Sequence, residues 1–318
     1  MIRFWTLEAF AHGADCVCYF RWRQAALCPG TDACRFAASQ TTPRPKPGQE
    51  AEQAMAEVAA LDIGNQYLQP ASVAIITGAE GLWVSDIEKQ GEAYDFNNVQ
   101  LSYYSALREL GINIDFISVD SDFTPYSIII APSLPIVDQA FVDRCKASSA
   151  QFIFGPRAGA KTSEFGYPDS LPPGLLQQLI PIRVLSVETL RADCTEDLSW
   201  NNQQYQSSSW REQLDAAHTK VLARYEDNQP AVVSEGRFTY MGTLTDREFL
   251  LDFFQHYCQQ ADIPIYRFGA NIRVSQRGNL LFAFNYARQP QALPMDAQAE
   301  IILGHATIEP HGVTVWRS

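Results

Sequence analysis

From Ser72 onward, short runs of β-branched residues alternate with amphipathic helical stretches, a pattern that commits this part of the chain to an open, mostly parallel α/β sheet. Strands are expected at 73–77, 114–118, 127–131 and 152–154, with helices at 96–110 and 137–148 between them. Gly111 stands where the first of these helices must stop. Strands at 183–187, 221–225 and 237–241 and a helix at 246–260 complete an expected domain over 70–262.

The pattern changes after Asp262 and Pro264. Short strands at 265–268, 271–275, 280–285, 300–303 and 313–316, with the turn Arg277-Gly278-Asn279 among them, predict a small antiparallel β domain over 263–318. At the other end, residues 3–13 read as the tail of a helix, with Phe4, Leu7 and Phe10 at helical spacing, and 15–23 as a strand. Residues 25–48 carry Pro29, Pro43, Pro45 and Pro47 without any sustained period, so a loop or disorder is expected. A helix over 49–61 follows, with Met55, Val58 and Ala59 on one face.

Charge narrows the partners. Twenty-four Lys plus Arg against thirty-six Asp plus Glu give a net charge of -12, which repels nucleic acid and anionic membrane surfaces. No apolar run approaches the roughly 18 residues of a membrane span and no leader pattern opens the chain, so a cytoplasmic protein is expected. Seven scattered cysteines, an odd number, read as reduced thiols.

The search for chemistry is mostly negative. His12, His218, His256, His305 and His311 fall in no metal-ligand spacing, and neither a metal nor another cofactor is expected. Cys16 and Cys18 alternate with Val17, which puts both thiols on one side of the expected strand; a buried strand pair is favoured over half of a metal site. An amidotransferase or protease site needs a Cys on a tight strand-to-helix turn. The turns after the central strands are instead Ala131-Pro132-Ser133 and Gly155-Pro156-Arg157, and Cys145 lies within a helix. Gly155, Arg157, Gly159 and Lys161 share a loop that allows an anion site, although a solvated loop of ordinary turn residues is the expectation.

The segment WTLEAFAHGADCVCYFRWRQA, Trp5 to Ala25, resembles the end of the catalytic barrel of glycoside hydrolase family 42, the β-galactosidases. The family's Phe-Arg-Trp-Arg-Gln motif is matched by Phe20, Arg21, Trp22, Arg23 and Gln24. SVAIITGAEGLW, YYSALRELGINIDFI, DFTPYSIIIAPSLPIVD and GPRAGAKTSEF resemble the family's middle domain, and the likeness continues into the small β domain. The resemblance implies a class I glutamine amidotransferase-like, flavodoxin-like domain without the nucleophile, which forms a homotrimer. Residues 1–62 are then the remnant of the last unit of a TIM barrel.

Departures from the family set the functional expectation. Retaining glycosidases use two carboxyl groups about 5–5.5 Å apart. In the family both precede the segment resembled here, so this chain alone is expected to be inactive, with a galactoside bound only if a barrel is supplied; the alternative is a non-catalytic oligomerisation or binding module. One barrel strand without neighbours leaves its ladder unpaired, so residues 1–23 are expected to be poorly supported. The resemblance makes Trp22 and Arg23 candidates to face the sugar pocket, against a repacked or exposed aromatic. Trp83, in the loop expected after the first α/β strand, is a candidate to cross a trimer contact, against packing on its own domain.

The family segment Gln-Glu-Gln-Met-His-Ala-Gly-Leu is absent after the Arg-Trp-Arg-Gln motif. Permitted codons for residues 28–40, read one nucleotide out of register, spell it. Residues 26–47 are therefore hypothesised to be an out-of-frame reading. Genomic DNA with an uninterrupted frame and incompatible codons would end that idea.

Overall fold

A computed structural model describes residues 1–20, 46–91, 93–191, 193–295 and 299–317. The chain divides into two units, one combining Met1–Gln69 with Tyr266–Ser318, the other comprising Pro70–Ile265.

In the first unit, α1 (Ile2–Ala11) buries Phe4, Leu7 and Ala11, spaced three and four residues apart on one helix face. Behind it lies α2 (Lys46–Ala60), already helical at Lys46 and Pro47, ahead of the start expected at 49. Arg3 binds the Glu57 carboxylate at 2.7 Å and ties the two helices. Residues 15–20, the described part of the strand expected at 15–23, join no ladder, since no described strand runs beside them. Cys16 and Cys18 are exposed there, their sulfurs 3.8 Å apart, rather than buried on a strand.

The second unit is built on one sheet. Its strands are β1 (Val73–Ile76), β2 (Ile114–Ile117), β3 (Ile128–Ala131), β4 (Gln151–Phe154), β5 (Arg183–Thr189), β6 (Thr195–Trp200), β7 (Gln203–Asp215), β8 (Lys220–Tyr225), β9 (Pro230–Glu235), β10 (Phe238–Met241) and β11 (Thr243–Thr245). They lie in the order β11-β7-β6-β8-β9-β10-β4-β3-β1-β2, with β5 on β7. β10, β4, β3, β1 and β2 are parallel and form the expected open α/β sheet. An antiparallel extension makes it a larger, mixed sheet.

Four helices cover this sheet: α3 (Ala79–Ile87), α4 (Phe96–Glu109), α5 (Gln139–Ala147) and α6 (Arg247–Gln260). Asp95, Asp138 and Asp246 cap the last three by accepting the Asn98, Phe141 and Phe249 backbone N–H groups at 2.7–2.8 Å. α4 and α6 cover one face, where Tyr103, Leu107, Phe249 and Phe253 meet Val73, Ile75 and Ile130; α5 covers the other with Phe141 and Val142 against Ile76, Ile129 and Phe154. β1 and β3 are buried along their whole lengths, which explains why they are continuous apolar runs.

The chain then returns to the first unit as β12 (Ile272–Arg277), β13 (Leu280–Asn285), β14 (Gln291–Ala292), β15 (Ile301–Leu303), β16 (Thr307–Ile308) and β17 (Val313–Arg317). β12, β13, β17 and β15 form an antiparallel sheet in that order, and β14 pairs with β16. No strand forms at 265–268; Tyr266 and Phe268 pack their rings on the β sheet core without pairing their backbone into it. The opposite face of the sheet, Phe282, Phe284, Val313 and Val315, receives α1. Phe4 meets Phe284 edge to face at 5.4 Å. Arg277, buried, donates to the carbonyl oxygens of Gln66, Phe10 and Ala14 at 2.8–2.9 Å. α1 is therefore firmly anchored, unlike the poorly supported segment expected from a strand without neighbours.

Among the described residues no helix is long and apolar enough to cross a membrane.

Candidate functional site

β1 has β2 on one side and β3 on the other, so the strand order reverses between β1 and β3. The crevice beyond the carboxyl ends of such strands is where open α/β sheets hold ligands. The turns that follow β3 and β4 meet there. Gly155 lies so close to Pro132 that an added Cβ would stand 2.0 Å from the Pro132 carbonyl oxygen, which is why only glycine fits.

Those two turns are packed against the chain's own side chains. Glu212, in the last third of β7, is buried. Its Oε1 accepts the Arg157 backbone N–H at 2.9 Å and the Trp210 indole N–H at 3.0 Å, while Oε2 accepts the Tyr240 hydroxyl at 2.8 Å. Arg157, also buried, has a left-handed backbone (φ 66°), a strained conformation that the bond to Glu212 helps to hold. Its guanidinium lies over the Tyr94 ring at 5.2 Å and the Trp210 ring at 5.5 Å. The Tyr94 hydroxyl reaches Ser133 Oγ, on the turn after β3, at 2.9 Å.

Burial dominates the electrostatics. It raises the Glu212 carboxyl above its ordinary range, against the opposing pull of the Arg157 N–H, the indole and the Tyr240 hydroxyl. Burial, then the facing Glu212, pushes the Tyr240 phenol well up. Lys161, buried at the next bend of the loop, binds Glu88 at 2.5 Å and lies 4.1 Å from the Tyr167 ring centre. The loop carrying Arg157 and Lys161 is thus a buried, internally paired element, not the solvated loop expected. Both cations already face aromatic rings or acids, which leaves no open anion site in this loop.

No described thiol is set up as a nucleophile at this crevice. Cys145 in α5 and Cys258 in α6 are buried, and desolvation pushes each up to about 12. Among the described residues no three His, Cys, Asp or Glu side chains converge on a point that could hold a metal. A polar cleft of about 430 Å³ lies at the opposite, amino ends of the parallel strands, lined by Thr124, Tyr126, Ser127, Gln151, Arg237 and Tyr257. It contains no carboxylate pair.

Trp22 and Arg23 lie outside the described residues, as does the segment 26–47 apart from Lys46 and Pro47, which begin α2. Trp83 is found in helix α3, not in a loop, with its side chain about half exposed. The Glu212 network escaped sequence reasoning because β7 was not recognised. The available signal was its alternation, in which Trp210, Glu212 and Leu214 share one strand face and set an acid between two apolar residues.

Comparison with known proteins matches residues 71–264 to the family described as "Beta-galactosidase trimerisation domain", 271–318 to "Beta-galactosidase C-terminal domain" and 1–61 to "Beta-galactosidase". The chain is 32% identical to a beta-galactosidase of Thermus thermophilus over 99% of its own length and 48% of the relative's. It is 33% identical to Beta-galactosidase BgaA of a Thermus species, again covering 48% of that protein. The crystal structure of the beta-galactosidase from the psychrophilic Marinomonas ef1 superposes with a TM-score of 0.93 at 26% identity, covering 99% of this chain and 49% of that one. The chain thus spans about half the length of the relatives it matches.

Proposed function

Since the chain belongs to the β-galactosidases of glycoside hydrolase family 42 and corresponds to their C-terminal half, we propose that these 318 residues are the assembly-forming half of a cytoplasmic β-galactosidase and hydrolyse no galactoside by themselves. The observation that carries this reading is the buried network at the turns after β3 and β4: on the side of the sheet where an α/β fold would hold a ligand, Glu212, Arg157, Trp210 and Tyr94 bind one another. A unit whose turns on that side are packed into its own core has structural work rather than chemistry to do. The matched trimerisation domain supports a homotrimer built through residues 70–262.

Hydrolysis of terminal β-galactosides, the activity that the relatives' names carry, then belongs to a barrel bearing the two carboxyl groups. Trp22 and Arg23 remain candidates to face the sugar when that barrel is present. The purified 318-residue polypeptide is expected to have the mass of three copies in light scattering and to release no nitrophenol from o-nitrophenyl β-galactoside. Turnover without any added polypeptide overturns the inactivity; a monomer at micromolar concentration overturns the assembly. Addition of a barrel polypeptide is expected to restore hydrolysis. The out-of-frame origin of 26–47 also stands as a proposal, tested by resequencing the gene.

A further inference from the structure

We propose that Cys16 and Cys18 form a thiol–disulfide exchange site, at which a low-molecular-weight disulfide is reduced while the two thiols close into a reversible bridge. Their sulfurs are 3.8 Å apart, already in contact, and both residues are exposed. With Val17 between them, extended backbone sends both side chains to the same side. Among the described residues no other two thiols meet: Cys194 is exposed beside the Asp193 carboxylate, and Cys145 and Cys258 are buried.

The backbone around the pair permits closure. In a regular strand, residues two apart stand about 6.6 Å apart at Cα, the outer limit of what a disulfide spans, and a ladder holds them there. Residues 15–20 join no ladder, so the Cys16-Val17-Cys18 stretch is free to shorten. It is nevertheless tethered at both ends. Asp15 accepts from the buried Arg277 guanidinium at 3.1 Å, and the Tyr19 hydroxyl meets Thr6 Oγ1 at 2.6 Å. The tethers keep the two thiols at the surface and next to each other, which raises the effective concentration of one at the other.

The hydrogen bond sets the order of events. The Cys16 thiol donates to the Cys18 sulfur and keeps its own proton longer, so Cys18 attacks first and Cys16 resolves. The Cys18 thiolate, its proton given to solvent, attacks one sulfur of the small disulfide. That S–S bond breaks, a mixed disulfide forms on Cys18, and the first small thiolate leaves and takes up a proton. Cys16 then loses its proton, attacks the Cys18 sulfur and expels the second small thiolate. Two protein thiols are oxidised to one disulfide, and one small disulfide is reduced to two thiols. Exposed disulfides are the reducible kind, so this bridge is a switchable modification and not a structural staple.

The test treats the full chain with glutathione disulfide at pH 8, blocks the remaining thiols with iodoacetamide and maps tryptic peptides by mass. The peptide 4–21 carries both cysteines and no internal Lys or Arg. It is expected to be lighter by two hydrogens, with the bridged form exceeding its glutathione adduct by about tenfold or more, and dithiothreitol should restore both thiols. Cys194 should stop at the mixed disulfide. Cys16→Ser should accumulate the adduct on Cys18, and Cys18→Ser the adduct on Cys16; both side chains are exposed, so neither variant loses a buried contact. A parent peptide that stays reduced, keeps its adducts as Cys194 does, or is joined to another cysteine overturns the exchange site, as do serine variants that take up no glutathione. These readouts depend on neither assembly nor hydrolysis.

Discussion

The Arg277 guanidinium reaches the carbonyl oxygen of Ala14 at 2.8 Å across 263 positions of sequence. The same group serves Phe10 and Gln66, so one buried cation satisfies three carbonyls where α1 ends. Hydrogen bonds to charged groups are the stronger kind, and carbonyls left buried without donors are costly. Arg277→Ala is expected to destabilise the first unit by about 2–4 kcal/mol. Limited proteolysis should then cut after α1 at protease levels that leave the parent intact, while the fragment covering 70–265 stays protected.

Glu212 predicts a pH dependence. Its carboxyl is raised above 4.5 in the folded chain, so between 4.5 and the higher folded value the unfolded chain releases its proton first. The stability tied to the proton is complete below 4.5 and is lost as pH rises towards the folded value. Glu212→Gln keeps an acceptor for Arg157 and Trp210 but cannot titrate. The urea midpoint of the parent, measured relative to Glu212→Gln, is expected to fall as pH is raised above 4.5; parallel curves would falsify the raised carboxyl.

Gly155→Ala places a methyl group 2.0 Å from the Pro132 carbonyl oxygen. Both partners are backbone, so neither yields cheaply, and a loss of about 3 kcal/mol or more is expected. Gly64→Ala, with nothing within 4 Å of the added carbon, serves as the control. The comparison is read as a large drop in thermal midpoint for the first and a small change for the second.

Thiol labelling should separate two classes. Cys16, Cys18 and Cys194 are exposed and should be alkylated by iodoacetamide at pH 8 without denaturant. The Cys16 thiol donates a hydrogen bond to Cys18 and is held above its ordinary value, so Cys16 should gain reactivity as pH is raised further. Cys145 and Cys258, pushed up to about 12 by burial, should be labelled only after unfolding, as read by peptide mass mapping.

What the sequence disclosed follows from where burial was two-sided. β1 and β3 are apolar throughout because both faces are covered, and α4 and α6 show their periodicity because one face is. β6 and β7, TEDLSW and QQYQSSSWREQLD, are rich in Ser, Gln and acids, and their strand form comes from pairing with each other and with neighbours distant in sequence. With β7 unread, Glu212 was one acid among thirty-six. Residues 265–268 misled in the opposite way: Tyr266 and Phe268 are apolar because they cover Trp316 and its neighbours, a demand on side chains that places no constraint on backbone pairing.

The seating of α1 on β13 and β17 also fixes an order of events during synthesis. α1 precedes the strand that completes its cover, Val313–Arg317, which is made about 300 residues later. At about 5–20 residues per second, Phe4 and Leu7 wait roughly 15–60 s without their cover. Pro70–Ile265 has by then been translated in full and can fold as a unit. A nascent chain stalled before β17 should therefore expose the apolar face of α1 to chaperones while its α/β sheet is already closed.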